Sequence, residues 1–370
     1  MQYSFAAIAI TALTLTSSVS SLNILLGNDD GFASAQIRET YRLLKEKGHT
    51  VVIVSEADNE SGQGGRSVFT SDPTLPNGSE FGIIPPGAPS IGTDPNDHNI
   101  WQVQSYAATS STSNMRRYYN GTPAATAFVA FDYVLPNFAP FKKPDLVVAG
   151  PNFGNNLGTF FYTLSGTAGY TYNSIGRGYP GIMFSGGNSE QRSFEWINKT
   201  TPSGFPDPAT IQAQLAVDIV ETLVKNSKPG ERLMPLGYGI SVNTPVITSL
   251  TNDSCVNPPF VQTRLTGGAD YDQALFNKTS GLFTFQNIVP PGGNVCYHGD
   301  CSLPGETVIV NSGCFSSVSV FTVDYDASIG PVQTSIRSRL EPLVKFQGKS
   351  SGKGGFPTHH WTGRYARGMK

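Results

Sequence analysis

The sequence predicts an α/β protein with a doubly wound, mostly parallel sheet and antiparallel hairpin additions in its C-terminal part. Three observations predict this class. Short apolar runs alternate with amphipathic helical segments between residues 22 and 245, as expected for strands joined by helical crossovers. The runs are apolar at nearly every position, which is typical of parallel strands buried on both faces. Beyond Pro245 the chain changes to Thr-, Ser- and Val-rich stretches.

The opening of the chain after residue 21 predicts a β-α-β unit. The apolar run 22–26 ends at Gly27 and an Asp pair, which indicates a buried strand that delivers its carboxyl end to a loop. A helical pattern over 34–47 stops at Gly48, and a second apolar run follows at 51–54. A right-handed crossover between these strands implies a Rossmann-like parallel sheet.

The rest of the chain divides into a loop region and further elements. Residues 56–117 are rich in Gly, Pro, Ser, Asp and Asn, which predicts long loops with short strands. The later predicted elements are helices from Thr122 to Val134, from Ser165, and from Ala209 to Lys225, strands at 145–149, 181–184 and 240–243, and antiparallel hairpin strands at 307–310 and 318–323. We place one domain at 21–330, with a core at 22–245 and an elaboration at 246–330, followed by a C-terminal helix and basic flexible tail at 331–370.

The N-terminus has the features of a secretory signal peptide over residues 1–20. An apolar stretch at 5–15 is followed by small residues at 18–20, which suit a cleavage site. The segment before the stretch lacks Lys and Arg, so a buried first strand or helix is the alternative. No later stretch reaches the ~20 apolar residues that span a bilayer. We therefore expect a secreted protein that does not associate with membranes.

The cysteines and glycosylation motifs agree with export. All four cysteines (Cys255, Cys296, Cys301 and Cys314) lie in the last third of the chain, and an even number suits two disulfide bonds. Their connectivity is open, and a zinc site that includes His298 is the alternative, although the spacing differs from that of most zinc ribbons. Six Asn-x-Ser/Thr motifs predict a glycoprotein and begin at Asn59, Asn77, Asn120, Asn198, Asn252 and Asn277.

The net charge of the chain bears on whether its partner is a nucleic-acid polymer or a small molecule. The formal net charge is −2 and charged residues make up 14% of the chain. Such a chain lacks the basic excess that nucleic-acid polymers attract. A small phosphorylated substrate remains compatible, because it requires only a local site.

Polar side chains follow three of the predicted strands. Asp29 and Asp30 follow the first strand, Ser61 follows the second, and Asn152 follows the third. Ligands of open parallel sheets bind outside the carboxyl ends of the strands. Carboxylate, hydroxyl and amide oxygens are hard ligands, which match Mg²⁺, Mn²⁺ or Ca²⁺ rather than zinc.

These residues lie within a series of motifs that resembles the SurE-like 5′/3′-nucleotidase and acid phosphatase family, over roughly residues 22–245. In chain order the motifs are Leu25-Leu26-Gly27-Asn28-Asp29-Asp30-Gly31, Asn59-Glu60-Ser61-Gly62, Gly121-Thr122-Pro123-Ala124, the stretch 144–158 with Gly150-Pro151-Asn152-Phe153-Gly154 at its centre, Ser165-Gly166-Thr167-Ala168-Gly169, the stretch 178–185, and Val242-Asn243-Thr244-Pro245.

The resemblance implies roles for the motif residues. The metal ligands would be Asp29, Asp30, Ser61 and Asn152, with the two aspartates also catalytic. Ser165, Gly166 and Thr167 would bind the substrate phosphate at the start of a helix, where free N–H groups favour an anion. Asn28 would lie beside the metal and donate to a phosphate oxygen.

The resemblance also implies an activity. It points to a phosphoric monoester hydrolase, of the 5′/3′-nucleotidase or acid phosphatase type, that uses Mg²⁺ or Mn²⁺, with Ca²⁺ as a further candidate. The substrate would be a small phosphorylated molecule such as a nucleoside monophosphate, and the protein would form a homo-oligomer, a dimer or larger.

Two departures from the family keep alternatives open. The family commonly has Arg at the position of Phe153 and Ile or Val at that of Pro151, and Arg66 is the candidate to restore the lost charge. A secreted, non-catalytic metal- or phosphate-binding protein on the same fold is one alternative. The β-α-β start of the chain suggests a dinucleotide-binding enzyme as another alternative, although two carboxylates in the first turn would repel a pyrophosphate unless a metal intervened.

Overall fold

The computed structural model describes residues 21–69, 72–94, 97–103, 121–187, 191–228, 230–265, 272–287, 301–324, 326, 330–340 and 343. The chain divides into two compact units, Met1–Val323 and Asp324–Lys370. The signal segment, the Asn120 glycosylation motif and most of the basic tail lie outside the described residues.

The first unit contains a sheet whose nine described strands lie in the order β3-β4-β2-β1-β5-β6-β7-β11-β8. The strand bounds are β1 Asn23–Gly27, β2 Thr50–Ser55, β3 Ile91–Asp94, β4 Asp97–Val103, β5 Leu146–Phe153, β6 Gly181–Gly186, β7 Tyr238–Asn243, β8 Phe260–Thr263 and β11 Ser316–Thr322. A separate two-stranded hairpin pairs β9, Asp272–Asn277, with β10, Leu282–Asn287.

The helices are α1 Ala35–Glu46, α2 Pro123–Val129, α3 Leu135–Asn137, α4 Gly158–Leu164, α5 Gly166–Gly176, α6 Pro208–Asn226, α7 Glu306–Asn311 and, in the second unit, α8 Pro331–Leu340. A π-helical turn, Ala130–Val134, joins α2 to α3. None of the helices in the described part of the chain is long and apolar enough to cross a membrane.

The fold is doubly wound, as predicted. The neighbours from β4 through β2, β1, β5 and β6 to β7 are all parallel. Helices α1 and α6 pack together, and so do α2 and α5. In β1, Ile24 and Leu26 join one hydrophobic cluster with α1 and α6, whereas Leu25 joins the other with α2 and α5. Alternate side chains of one strand thus enter two cores, which explains why its sequence is continuously apolar.

The strand order places a switch point next to β1. The chain passes from β1 to β2 on one side, and β5 pairs with β1 on the other side. The connections therefore diverge above the carboxyl ends of β1 and β5, where open α/β sheets bind their ligands. This is the edge that carries Asp29, Asp30 and Asn152.

The C-terminal part of the first unit adds antiparallel pairing, as predicted. β11 runs antiparallel to β7 and parallel to β8. The prediction of a strand at 307–310 is wrong, because α7 occupies these residues. β-Branched residues favoured a strand there, but Glu306 and Val310 are both buried. These two residues lie one helical turn apart, so burial selects the helix.

A disulfide bond closes the C-terminal part. Cys255 and Cys314 are bonded, with their Cα atoms 5.4 Å apart and a sequence separation of 59. Cys301 is disulfide-bonded too, and Cys296 lies outside the described residues. A zinc site using the Cys301 thiolate is thereby excluded, because a disulfide sulfur is not a thiolate ligand.

Candidate metal centre

The centre begins where β1 ends. Asn28, Asp29 and Asp30 are almost completely buried, at 1% exposure or less. Gly31 then turns the chain at φ 80°, a backbone conformation that L side chains rarely adopt. The strand and this turn fix two adjacent carboxylates at the carboxyl edge of the sheet.

Asp29 is held by the start of α5. Its Oδ1 accepts the hydroxyl hydrogen of Thr167 at 2.7 Å, and its Oδ2 accepts the backbone N–H of the same residue at 3.1 Å. Burial raises the pKa of Asp29 above its usual value, and the Thr167 hydrogen bonds oppose that rise. A carboxylate has about four lone-pair sites, so Asp29 keeps acceptor capacity for a further ligand.

Asp30 is held from the other side, by the end of β5 and by the loop after β2. Its Oδ2 accepts the backbone N–H of Phe153 at 2.5 Å, and its Oδ1 accepts the amide of Asn59 at 3.1 Å. Burial raises the pKa of Asp30 well above its usual value, and the charge of Asp29 raises it further. Keeping both aspartates ionised side by side therefore requires a positive charge nearby.

The loop that carries Ser61 is anchored to this acidic pair. The backbone N–H of Glu60 donates to the carbonyl oxygen of Asp29 at 2.7 Å, in addition to the Asn59 contact with Asp30. Ser61 itself is exposed, and its N–H donates to Asn59 Oδ1 at 2.8 Å. The structure thus brings the loop that carries Ser61 to the acidic pair, with Ser61 itself exposed.

Asn152 completes the set from β5. The strand is irregular between Ala149 and Asn152, and the irregularity includes Gly150 at φ 97°. Asn152 is 6% exposed, and its Nδ2 donates to the carbonyl oxygen of Gly154 at 2.8 Å. Its Oδ1 is buried without a hydrogen-bond partner, and so is the Oδ1 of Asn28. Such oxygens are costly unless a ligand satisfies them.

The donor set fits a hard divalent cation. Two buried carboxylates and an unsatisfied amide oxygen lie at one edge of the sheet, and these are the ligand types that Mg²⁺ and Mn²⁺ accept. In the described part of the chain, no group of three or more His, Cys, Asp or Glu side chains is placed to hold a metal. A cation here would therefore depend on neutral oxygens such as that of Asn152.

The predicted phosphate turn lies directly beside Asp29. Ser165 caps α5, with its Oγ accepting the N–H of Ala168 at 3.0 Å. A Cβ atom on Gly166 would lie 2.8 Å from Asp29 Oδ2, so only glycine permits this approach. Thr167 directs both its donors to Asp29 rather than outward. Accordingly, the Ser165 hydroxyl hydrogen remains for a phosphate, whereas the amide of Asn28 donates to Ser34 Oγ at 3.4 Å.

Further carboxyl groups, which were not predicted from the sequence, lie around the centre. Glu56 is buried directly after β2, and its pKa is well above the usual value, mainly through burial and partly through the charge of Asp29. Burial and the charge of Asp58 raise the pKa of Glu60 and of Glu80 to about 7. Glu56 and Glu60 follow the same strand as Ser61, so their position after β2 could have identified them as candidate site residues. A bound cation would lower these raised pKa values and favour the ionised forms, so the cluster is suited to a positive ligand.

Arg66 does not replace the positive charge that Phe153 lacks. Its side chain is exposed, and its Nη1 donates to Gln63 Oε1 at 3.0 Å. Among the described residues, no Lys or Arg forms an ion pair with Asp29 or Asp30. Within the described part of the chain, the acidic pair therefore has no basic side chain as its partner.

Comparison with known proteins identifies relatives of this chain. Residues 24–266 match the family described as Survival protein SurE. An acid phosphatase of Yarrowia lipolytica is 40% identical over 347 residues, which are 93% of this chain and 90% of that protein. A 5′-nucleotidase SurE of Prochlorococcus marinus is 27% identical over 216 residues, 58% of this chain and 62% of that protein.

The fold has a solved counterpart. The crystal structure of the SurE protein from Aquifex aeolicus superposes with a TM-score of 0.53 and 21% sequence identity, covering 86% of this chain and 99% of that one. The family match spans the strands and loops that build the candidate metal centre, from β1 to β8. This chain is a member of the SurE family.

Proposed function

We propose that this protein is a phosphomonoester hydrolase of the acid phosphatase or 5′-nucleotidase type that works with a divalent cation. The related acid phosphatase and 5′-nucleotidase support hydrolysis over a non-catalytic binding role. One structural observation carries the cation requirement: Asn152 Oδ1 is buried without a partner beside two buried carboxylates. The dinucleotide-binding alternative has no support from either relative.

The cation would be Mg²⁺ or Mn²⁺, held by Asp29, Asp30 and Asn152, with the Ser61 hydroxyl as the fourth protein ligand. When bound, it supplies Lewis-acid polarisation of the phosphoryl group and lowers the pKa of water. The protein contributes orientation: Thr167 fixes the Asp29 carboxylate, while Phe153 and Asn59 fix that of Asp30.

The phosphate would lie between the cation and the start of α5. Ser165 would donate a hydrogen bond to one of its oxygens as negative charge develops in the transition state, and the Asn28 amide would do so by exchanging Ser34 Oγ for a phosphate oxygen. Donors that are already positioned stabilise this charge without reorganisation. Thr167 would not contact the phosphate in this arrangement, because both its donors orient the Asp29 carboxylate.

A nucleoside monophosphate is the substrate that best fits the rim of the centre. Helix α4 leads directly into Ser165 and exposes Phe161 at 44% and Leu164 at 40%. An aromatic and an aliphatic side chain beside a phosphate site favour an organic group with a flat apolar face. We expect truncation of Phe161 to raise KM for nucleoside monophosphates more than for small alkyl phosphates.

Two further proposals concern assembly and location. The β9–β10 hairpin exposes Leu275, Phe276, Leu282 and Phe283, an apolar surface that supports a homo-oligomer. Light scattering of the purified chain tests it. The disulfide bonds support export, and cell fractionation tests that.

The Asn59 amide donates to Asp30, so we expect no glycan at this position.

Phosphate release decides the proposed function. The purified chain should release inorganic phosphate from p-nitrophenyl phosphate and from nucleoside monophosphates, lose this activity with a chelator, and regain it with Mg²⁺ or Mn²⁺. Activity that persists after complete chelation would exclude a metal-dependent mechanism. No turnover of any phosphomonoester with either cation would favour the binding-protein alternative.

A further inference from the structure

A buried carboxylate from the C-terminal part contacts the loop that follows Asn152. Glu306, the first residue of α7, is 1% exposed. Its Oε1 accepts the backbone N–H of Gly158 at 2.8 Å, and its Oε2 accepts the hydroxyl hydrogen of Ser319 at 3.0 Å. Gly158 is the first residue of α4, so the carboxylate satisfies an N–H that has no partner inside that short helix.

The loop between Asn152 and Gly158 is held by a series of buried acceptors. Its first N–H, from Phe153, donates to Asp30, and that of Asn156 donates to Asn243 Oδ1 at 2.8 Å. Its last N–H, from Gly158, donates to Glu306. The two ends of one loop thus rest on two buried carboxylates, one in the metal centre and one 148 residues further along the chain than Gly158.

Glu306 is itself firmly held, so it can transmit a fixed position. Its backbone N–H donates to the carbonyl oxygen of Arg264 at 3.0 Å. The Ser319 hydroxyl that contacts Glu306 also lies 2.7 Å from Thr263 Oγ1, which joins β11 to β8. The disulfide bond between Cys255 and Cys314 closes the same region.

We infer that Glu306 is a positioning residue of the catalytic centre: its carboxylate sets the start of α4, and through it the orientation of Asn152 on one side and Ser165 on the other. Helix α4 ends where Ser165 begins, and the Ser165 N–H donates to the carbonyl oxygen of Phe161 at 2.8 Å. The inference rests on the proposed function for its effect on turnover. A displacement of about 1 Å in such a centre lowers rates by about 100-fold.

Three variants separate positioning from general stability. Glu306→Ala removes the acceptor for Gly158, Glu306→Gln keeps a neutral acceptor of the same shape, and Ser319→Ala removes only the support on the far side. We expect Glu306→Ala to lower kcat by 10- to 100-fold at a temperature where every variant is folded, with KM changed less. Glu306→Gln should restore kcat to within about threefold, and Ser319→Ala should lower stability without the loss of kcat.

Hydrogen exchange supplies a readout that does not depend on turnover. Peptides covering residues 152–167 should exchange faster in Glu306→Ala than in the unaltered protein and in Ser319→Ala. Unchanged exchange there, or equal kcat losses in Glu306→Ala and Ser319→Ala, would overturn the inference. If the unaltered protein released no phosphate, the proposed function would fail while the exchange result still decided the position of the loop. Should Glu306→Ala not fold, Glu306→Leu, which fills the buried volume, replaces it.

Discussion

The two parts of the first unit, residues 22–245 and the part after residue 245, could not be predicted equally well from the sequence. Between residues 22 and 245, each apolar run became a strand and each amphipathic pattern a helix, because local periodicity and burial agree there. After residue 245, local propensity favoured a strand at 307–310, and tertiary burial of Glu306 and Val310 produced a helix instead. The comparison teaches that the elements of the core follow from local sequence pattern, whereas in the C-terminal part long-range burial overrides local propensity.

The largest expected effect belongs to the core. Asp29→Asn should lower kcat/KM by about 10³-fold, because losing one charged ligand removes several kcal/mol of transition-state stabilisation. Steady-state phosphate release measures it. Asp132→Asn, an exposed carboxylate paired with Arg177, is the matched control and should leave the rate unchanged. Wild-type turnover in a folded Asp29→Asn variant would separate this motif from catalysis.

A second variant tests the neutral ligand of the same centre. Asn152→Ala should weaken the apparent affinity for Mn²⁺ by about 10- to 100-fold, the size typical for loss of a group that supports a metal. High Mn²⁺ should recover part of the rate, as activation curves would show. Asn155→Ala is the control in the same loop, because its amide donates only to the Thr244 carbonyl. Identical curves for the two variants would mean that Asn152 is not a ligand.

The last effect is on stability rather than on turnover, and it concerns the pH dependence of the C-terminal part. Burial raises the pKa of Glu306 from 4.5 to about 8. Between these values the folded protein keeps a proton that the unfolded chain has lost. Stability should therefore fall as pH rises across this window, by up to about 1.4 kcal/mol per pH unit, and level off above pH 8.

Glu306→Gln isolates this contribution, because Gln does not titrate. Urea unfolding in the presence of chelator gives the free energy of unfolding of both proteins at several pH values. The free energy of unfolding of the unaltered protein should fall relative to that of Glu306→Gln as pH rises from 5 to 8. Parallel curves would show that Glu306 titrates normally, and the C-terminal part would then carry no buried acid that matters to stability.

Much of the centre could be predicted because its residues follow strands. The carboxyl ends of β1, β2 and β5 meet at one edge, so Asp29, Ser61 and Asn152 could be proposed as site residues from their positions and from the resemblance of their motifs. The attachment of Thr167 to Asp29 was not predicted, since a helix start predicts anion binding without saying which anion. The role of Glu306 could not be predicted from the sequence, because its contact with Gly158 joins residues 148 positions apart.

Direct cation binding tests the central claim most simply. Mn²⁺ titrated into the substrate-free protein and into Asp30→Asn can be followed by electron paramagnetic resonance. We expect the unaltered chain to form a stoichiometric complex and the variant to leave Mn²⁺ free at concentrations that saturate the unaltered chain. Equal binding by both proteins, or no binding by either, would contradict a cation held between β1 and β5.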